Sequence, residues 1–202
     1  MSRAWPVEGI KPSGTLGENA RRILAVRVAE FYSYAPIVAD ETAIEELHAL
    51  RIAAKRLRYT LELFRVVFGE SGERQIERVK AIQEALGNLH DADVRIALIQ
   101  DELTSLGVEQ TAALGKTLAV APVSAHQAIA STALRPPPDD PRRGLVALLG
   151  REYGGRKRSY EAFRELWDRF WGEGMRRELV GLSAAELHTE VEPGALPKDT
   201  QT

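Results

Sequence analysis

The apolar side chains of this chain recur every three or four residues, and this spacing constrains the fold more than any other feature. In an α-helix such spacing places side chains on one face, whereas a half-buried strand needs strict alternation. The helical spacing is clear over 23–31 and 76–89, and no segment keeps the alternating pattern. The sequence therefore predicts an all-α fold in which amphipathic helices pack as bundles.

Local start and stop signals predict the first two helices. A capping-box pattern at Thr15 and Glu18 opens a helix that runs to about Tyr34. Asp40 is expected to cap a second helix, which ends at about Phe68 because a glycine follows it.

The third helix follows that glycine, and its extent is open. The segment 87–91 either breaks it, with Asp91 capping the next helix, or the helix continues to about Leu106. Residues 107–134 are rich in small side chains and predict one or two short helices around a turn at Pro122.

Proline and glycine divide the C-terminal part of the chain. Residues 135–141 contain four prolines and predict a non-helical linker. We expect a short helix over 145–153, a break at the two glycines 154–155, and an aromatic-rich helix over 156–171.

These elements predict one helical domain over residues 15–182. Its helical regions, 15–134 and 142–182, flank the linker at 135–141. An N-terminal extension covers 1–14, and 183–202 has the composition of a disordered tail.

Composition narrows the possible environment and partners. The 202 residues include no cysteine, which excludes disulfides and thiolate metal sites. The N-terminus lacks an apolar segment of the signal-peptide kind, and no apolar run is long enough to cross a membrane, so we expect a cytoplasmic protein without membrane partners. A net charge of -2 does not indicate a nucleic-acid-binding protein. Any site for a polyanion must therefore be local.

One such local site is predicted on the second helix. His48, Arg51, Lys55 and Arg58 follow one another at intervals of three or four residues and so project from one face. We call these four residues the basic ridge. Apolar residues flank it on both sides, and its only acid is Glu62, which we expect to orient Arg58 or Arg65 through an ion pair. Cations facing an interior need an anion, because burying an unpaired charge costs several kcal/mol.

Two further cations lie within apolar stripes of other helices. Arg27 interrupts the stripe of the first helix, and Arg156 stands at the head of the aromatic face of the last. For each, contact with a ligand and an internal ion pair are both open.

The histidines allow several roles. His48 could contact phosphate, form a hydrogen bond within the bundle, or bind a metal, although Ile52 occupies the position at which a second ligand would complete a metal pair. His90 and Asp91 could form a helix junction in which Asp91 caps a helix and His90 bonds a carbonyl.

The basic helix and the segment after it resemble the CHAD family, the conserved histidine α-helical domain. The match reads H-x-x-R-x-x-x-K-R-L-R-Y-x-x-E from His48 to Glu62, followed by L-G-x-x-H-D-x-x-V from Leu86 to Val94. The resemblance covers roughly residues 15–180.

This resemblance implies helical bundles around a basic central channel that binds inorganic polyphosphate, without a cofactor or a metal. Members often carry the basic helix twice, but the second half here has only Arg156-Lys157-Arg158 in its place. The channel is then lopsided, or two copies of the chain complete it as a homodimer. The implied location includes polyphosphate granules. The candidate ligands are His48, Arg51, Lys55, Arg58, Arg27 and Arg156, followed by Arg22, Arg56, Lys80 and His90.

Two other classes of function stay open. A phosphohydrolase or phosphotransferase acting on polyphosphate or triphosphate could use His48 and His90, although the sequence has no acidic metal motif and no glycine-rich phosphate loop. A nucleic-acid or protein adaptor is the other class. Tyr59 is the only aromatic residue near the basic ridge, so a stacking platform for single strands is not indicated, and nucleic acid is an unlikely ligand.

Overall fold

The computed structural model describes residues 3–133 and 140–184, and within these ranges the chain is all-α, as predicted. Residues 134–139, which include most of the predicted linker, and 185–202, which include most of the predicted tail, lie outside the described residues. The six α-helices within the described ranges are α1 (Leu16–Tyr32), α2 (Ile44–Leu63), α3 (Arg65–Val120), α4 (His126–Ala133), α5 (Pro141–Gly172) and α6 (Met175–Ala184).

The first helix begins where the sequence predicts. The hydroxyl of Thr15 accepts a hydrogen bond from the backbone N–H of Glu18 at 3.2 Å, and the Glu18 carboxylate accepts one from the N–H of Thr15 at 2.9 Å. This reciprocal pair satisfies two N–H groups at the start of α1.

The predicted start of α2 at Asp40 is wrong, and α2 ends at Leu63, before the predicted stop at Gly69, where the helical backbone is interrupted. The Asp40 carboxylate accepts hydrogen bonds from the backbone N–H and the hydroxyl of Thr42, so it closes a turn instead of capping the helix, which begins at Ile44. At the other end, Phe64 leaves the helical region, with φ -104° and ψ 28°. Gly69 takes φ 55°, and the chain bends there within the first turns of α3.

Beyond that bend α3 continues without interruption past Asp91 to Val120. The helix therefore includes 107–120, which the sequence assigned to short helices. A turn at Pro122, a short 3₁₀ helix at Val123–Ala125 and α4 follow, as the composition indicated.

The predicted break at residues 154–155 is also wrong, because α5 is continuous from Pro141 to Gly172. Each glycine weakens a helix interior by about 1 kcal/mol, which packing on both sides can offset. Downstream, Tyr160, Phe163 and Trp167 are buried on one face of α5. Pro141 opens the helix rather than ending the linker, since proline is favoured in the first turn.

Five of the helices share one core. α3 packs against both α2 and α5, and α1 packs against α2 and α6. The largest fully buried side chains include Leu24, Phe31, Leu50, Leu57, Leu61, Ile82, Leu86, Leu89, Phe163, Met175 and Leu179. The bundle is thus confirmed, whereas no central channel is evident in the part of the chain that the structure describes. None of the helices in that part is both long and apolar enough to cross a membrane.

Candidate functional site

The basic ridge of α2 faces α3. His48 meets His90, Arg51 lies against Gly87, and Arg58 bonds Gln83, so residue numbers rise on one helix as they fall on the other. The two helices are therefore antiparallel, and the predicted ridge lines the groove between them. We call this surface the α2–α3 groove.

The two histidines of the groove are in direct contact. Nδ1 of His48 lies 3.1 Å from Nδ1 of His90, and the ring centroids are 4.3 Å apart. Since α3 does not break near His90, the predicted helix junction with a carbonyl bond is not what the structure shows. One Nδ1 must carry the hydrogen and the other must accept it, because two bare nitrogens or two N–H groups would repel each other.

Burial lowers the pKa of the His48 imidazole below its ordinary value of 6.5, and the nearby His90 and Arg51 lower it further. Glu45, three residues earlier on the same helix, acts in the opposite direction. The neutral form of His48 is thus favoured near pH 7.

A pocket of about 560 Å³ opens beside the histidine pair. Both imidazoles line it, together with Glu45, Asp93 and four apolar residues of α2 and α3: Ile44, Ala49, Val94 and Ala97. No group of three His, Asp or Glu side chains in the described ranges is arranged to hold a metal ion.

Arg51 occupies the centre of the groove without an anionic partner. Its Nε is buried and makes no hydrogen bond, and the ion pairs found among residues 3–133 and 140–184 do not include it. The side chain lies close to the α3 backbone at Gly87, where a β-carbon would stand 3.8 Å from Nε. A half-buried guanidinium without a carboxylate is available to an incoming anion.

Arg58, at the C-terminal end of the ridge, is held in place by one uncharged and one acidic neighbour. Arg58 donates to the Gln83 side chain at 2.9 Å and to Glu62 at 3.0 Å, which confirms the predicted ion pair one turn away. Its guanidinium carbon lies 4.8 Å from the centre of the Tyr59 ring, and the exposed Lys55 ammonium lies 5.7 Å from the same ring. Tyr59 therefore supports two cations at once.

Arg27 and Arg56 lie elsewhere and share one carboxylate. Both donate to Glu30 at 2.6 Å, and Glu30 is only 1% exposed. The internal ion pair, one of the two roles open for Arg27, is thus formed. Contact of either arginine with a ligand stays a prediction.

Arg156 reaches the edge of the pocket from α5. It is ion-paired with Asp93, which lines the pocket, and it donates to the backbone carbonyl of Glu41 at 2.7 Å. Of the other candidates, Lys80 is exposed one turn before Gln83 on α3, and Arg22 is exposed beside Gly9 of the N-terminal segment.

Sequence reasoning did not select Gln83, Gly87, Glu45 and Asp93 as site residues. A signal for the first two was present, because residues 83, 87 and 90 are spaced to share one face of a helix. Glu45 likewise lies one turn before His48.

The arrangement suits a linear anion. From His48 to Arg58 the ridge extends about 15 Å along the helix axis, at 1.5 Å per residue. Guanidinium and ammonium groups spaced over this length can bind several negatively charged groups at once.

Comparison with known proteins gives one match, in the N-terminal part of the chain. A family model described as CHAD domain matches residues 3–100, a segment that contains α1, α2 and the part of α3 that lines the groove. Searches of curated proteins and of solved structures gave no match. Over residues 3–100, which include the whole α2–α3 groove, the chain is therefore similar to the CHAD domain family.

Proposed function

We propose that the α2–α3 groove binds inorganic polyphosphate, or a similar linear polyanion, without catalysing a reaction on it. The observation that carries the proposal is the state of Arg51, whose Nε is buried at the centre of the groove without a hydrogen bond. A buried unsatisfied donor costs about 1 to 3 kcal/mol, and more for a charged group, so an anion that satisfies Arg51 would recover that free energy.

The distribution of acids supports this choice of site. Arg27 and Arg56 share Glu30 and Arg156 is paired with Asp93, so each of these cations already has an acidic partner. On the ridge, by contrast, only Arg58 has an acidic partner among the described residues, through Glu62. The cations of the ridge thus have fewer acidic partners than Arg27, Arg56 and Arg156 have.

The chemistry of polyphosphate fits a groove of this kind. Each internal phosphate carries about one negative charge, and the flexible chain has no fixed shape to recognise. Binding should then depend on the number of cations contacted and on the release of counterions, as for nucleic-acid backbones. The match of residues 3–100 to the CHAD domain family is compatible with this function.

The first experiment is calorimetric titration of the protein with long-chain polyphosphate at about 50 mM and 300 mM salt. We expect clear binding at low salt and a large loss of affinity at high salt. Competition with RNA of equal total charge tests the ligand class, and we expect polyphosphate to bind more tightly. No binding at low salt, or tighter binding of RNA, would contradict the proposal.

The non-enzymatic part is tested separately. Phosphate release from tripolyphosphate and from long chains is measured with Mg²⁺ and with Mn²⁺, and we expect no release above the rate without protein. Release that His48→Ala abolishes would identify a phosphohydrolase instead.

A further inference from the structure

The contact between His48 and His90 has a chemical consequence for an anion in the α2–α3 groove. In the neutral pair one ring donates through Nδ1–H and the other accepts, so only the accepting ring keeps a hydrogen on Nε2. Adding one proton at the free Nε2 preserves the contact and leaves an N–H on the outer nitrogen of both rings. The singly protonated pair therefore offers two donors where the neutral pair offers one.

A second proton cannot be added without loss of the contact. It would have to bind the accepting Nδ1, and two N–H groups would then face each other at 3.1 Å. The pair is thus limited to one added proton while it stays together.

Burial favours the neutral form of His48, and the charged groups around the pair act on it in both directions. On α2, Arg51 opposes a positive charge on His48, and Glu45 favours it. On α3, Asp93 lines the same pocket but is neutralised by Arg156 of α5. Asp91, next to His90 on α3, is exposed to solvent, which screens its charge.

We propose that the His48–His90 pair takes up one proton when a polyphosphate chain binds in the groove, so that the affinity for polyphosphate rises as the pH falls. The inference rests on the proposed function, since it concerns the same ligand and the same groove. It makes the site a proton-linked anion site instead of a fixed row of charges.

The direction follows from linkage. In the free protein the pKa of His48 lies below 6.5, so the ring is neutral near pH 7. An anion beside the ring favours the charged form and raises that pKa. A proton is then taken up at any pH between the lower pKa of the free protein and the higher pKa of the complex, and affinity increases as the pH falls through this range.

The test is titration of the full chain with long-chain polyphosphate at about pH 7.5 and about pH 5.5 at constant salt. The charge of the ligand changes little, because the internal phosphates of a long chain are strong acids. We expect the dissociation constant to fall several-fold, with an upper bound of about tenfold per pH unit for one proton. Calorimetry near pH 6 in buffers of different ionisation enthalpy should show uptake of up to one proton per binding event.

Two variants and one control assign the effect. His48→Gln and His90→Gln should each still bind polyphosphate through the arginines but lose most of the pH dependence. His126→Gln is the matched control, because His126 bonds the Ala121 carbonyl at the far end of α3 and should keep the wild-type response. NMR titration of the imidazoles in the wild-type protein, with and without polyphosphate, gives the same answer without any substitution.

The outcomes separate the two proposals. Absence of polyphosphate binding at both pH values contradicts the proposed function itself. Binding with equal affinity at both pH values, or a pH dependence that His48→Gln leaves intact, overturns the proton linkage alone.

Discussion

The Nε of Arg51 lies against α3 at Gly87, where a β-carbon would stand 3.8 Å away. That distance is an ordinary van der Waals contact, so alanine fits at residue 87 without moving Arg51. Substitutions at residue 87 on α3 can therefore change the surroundings of Arg51 on α2.

Gly87→Ala should stabilise the protein by about 0.5 to 1 kcal/mol, because alanine loses less backbone entropy than glycine in a helix interior. Chemical denaturation measures this change. Polyphosphate affinity should stay within about twofold of wild type, since the Arg51 guanidinium keeps its place.

Gly87→Glu uses the same position to neutralise Arg51. A carboxylate at residue 87, on the opposite side of the groove, would pair with the Arg51 guanidinium and repel polyphosphate. We therefore expect a loss of affinity of at least about tenfold. Calorimetric titration measures it, with Gly87→Ala as the matched control. Wild-type affinity in the glutamate variant would show that Arg51 is not part of the binding site.

Glu30→Gln tests the internal ion pairs of Arg27 and Arg56. The substitution leaves two partly buried guanidinium groups without their shared carboxylate, and we expect the free energy of unfolding to fall by about 3 kcal/mol. Asp168→Asn removes the exposed partner of Arg164 and should cost less than about 1 kcal/mol. Equal effects of the two substitutions, measured by urea denaturation, would contradict the assigned role of Glu30.

Tyr160→Phe tests the link between α5 and the segment before α2. The phenol donates to the Val38 carbonyl at 2.9 Å within the core, so its removal should cost about 1 to 3 kcal/mol. Tyr153→Phe, which removes an exposed hydrogen bond with Gln100, should change the thermal midpoint much less. A larger effect at residue 153 than at residue 160 would be inconsistent with this packing.

The depressed pKa of His48 also predicts how stability depends on pH in the absence of ligand. Because the unfolded chain binds a proton at His48 more readily than the folded protein does, the contribution of His48 to the free energy of unfolding is present above pH 6.5 and is lost as the pH falls below that value. Urea denaturation of wild type and His48→Gln over this range measures the difference. A difference independent of pH would contradict the assigned pKa direction.

Local signals in the sequence predicted those features that depend on neighbours along one helix. The Thr15 capping box and the Arg58–Glu62 pair involve residues three or four apart, and both are present. The flanking apolar residues likewise indicated that the ridge would face the protein. His48, Arg51 and Arg58 do face α3, whereas Lys55 is exposed.

Other features depend on contacts that a local signal does not contain. Asp40 has a side chain that often caps helices, but here its carboxylate accepts hydrogen bonds from the hydroxyl and the N–H of Thr42 instead. The two glycines at 154–155 resemble a break, yet α5 packs along α3 and stays helical. The contact between His48 and His90 joins residues 42 positions apart, so it requires the antiparallel packing of α2 and α3 to be known.

The most direct test of the account is the polyphosphate affinity of Arg51→Gln compared with Arg143→Gln at low salt. Both variants lose one positive charge, but Arg143 is exposed at the start of α5, far from the groove. The neighbouring Asp140 interacts with Gln110 of α3, which lies some 20 residues beyond His90, or about 30 Å along the helix. We predict a loss of about tenfold or more for Arg51→Gln, with a smaller salt dependence, and a change of less than about twofold for Arg143→Gln. Equal losses in the two variants would show that polyphosphate responds to overall charge and not to the α2–α3 groove.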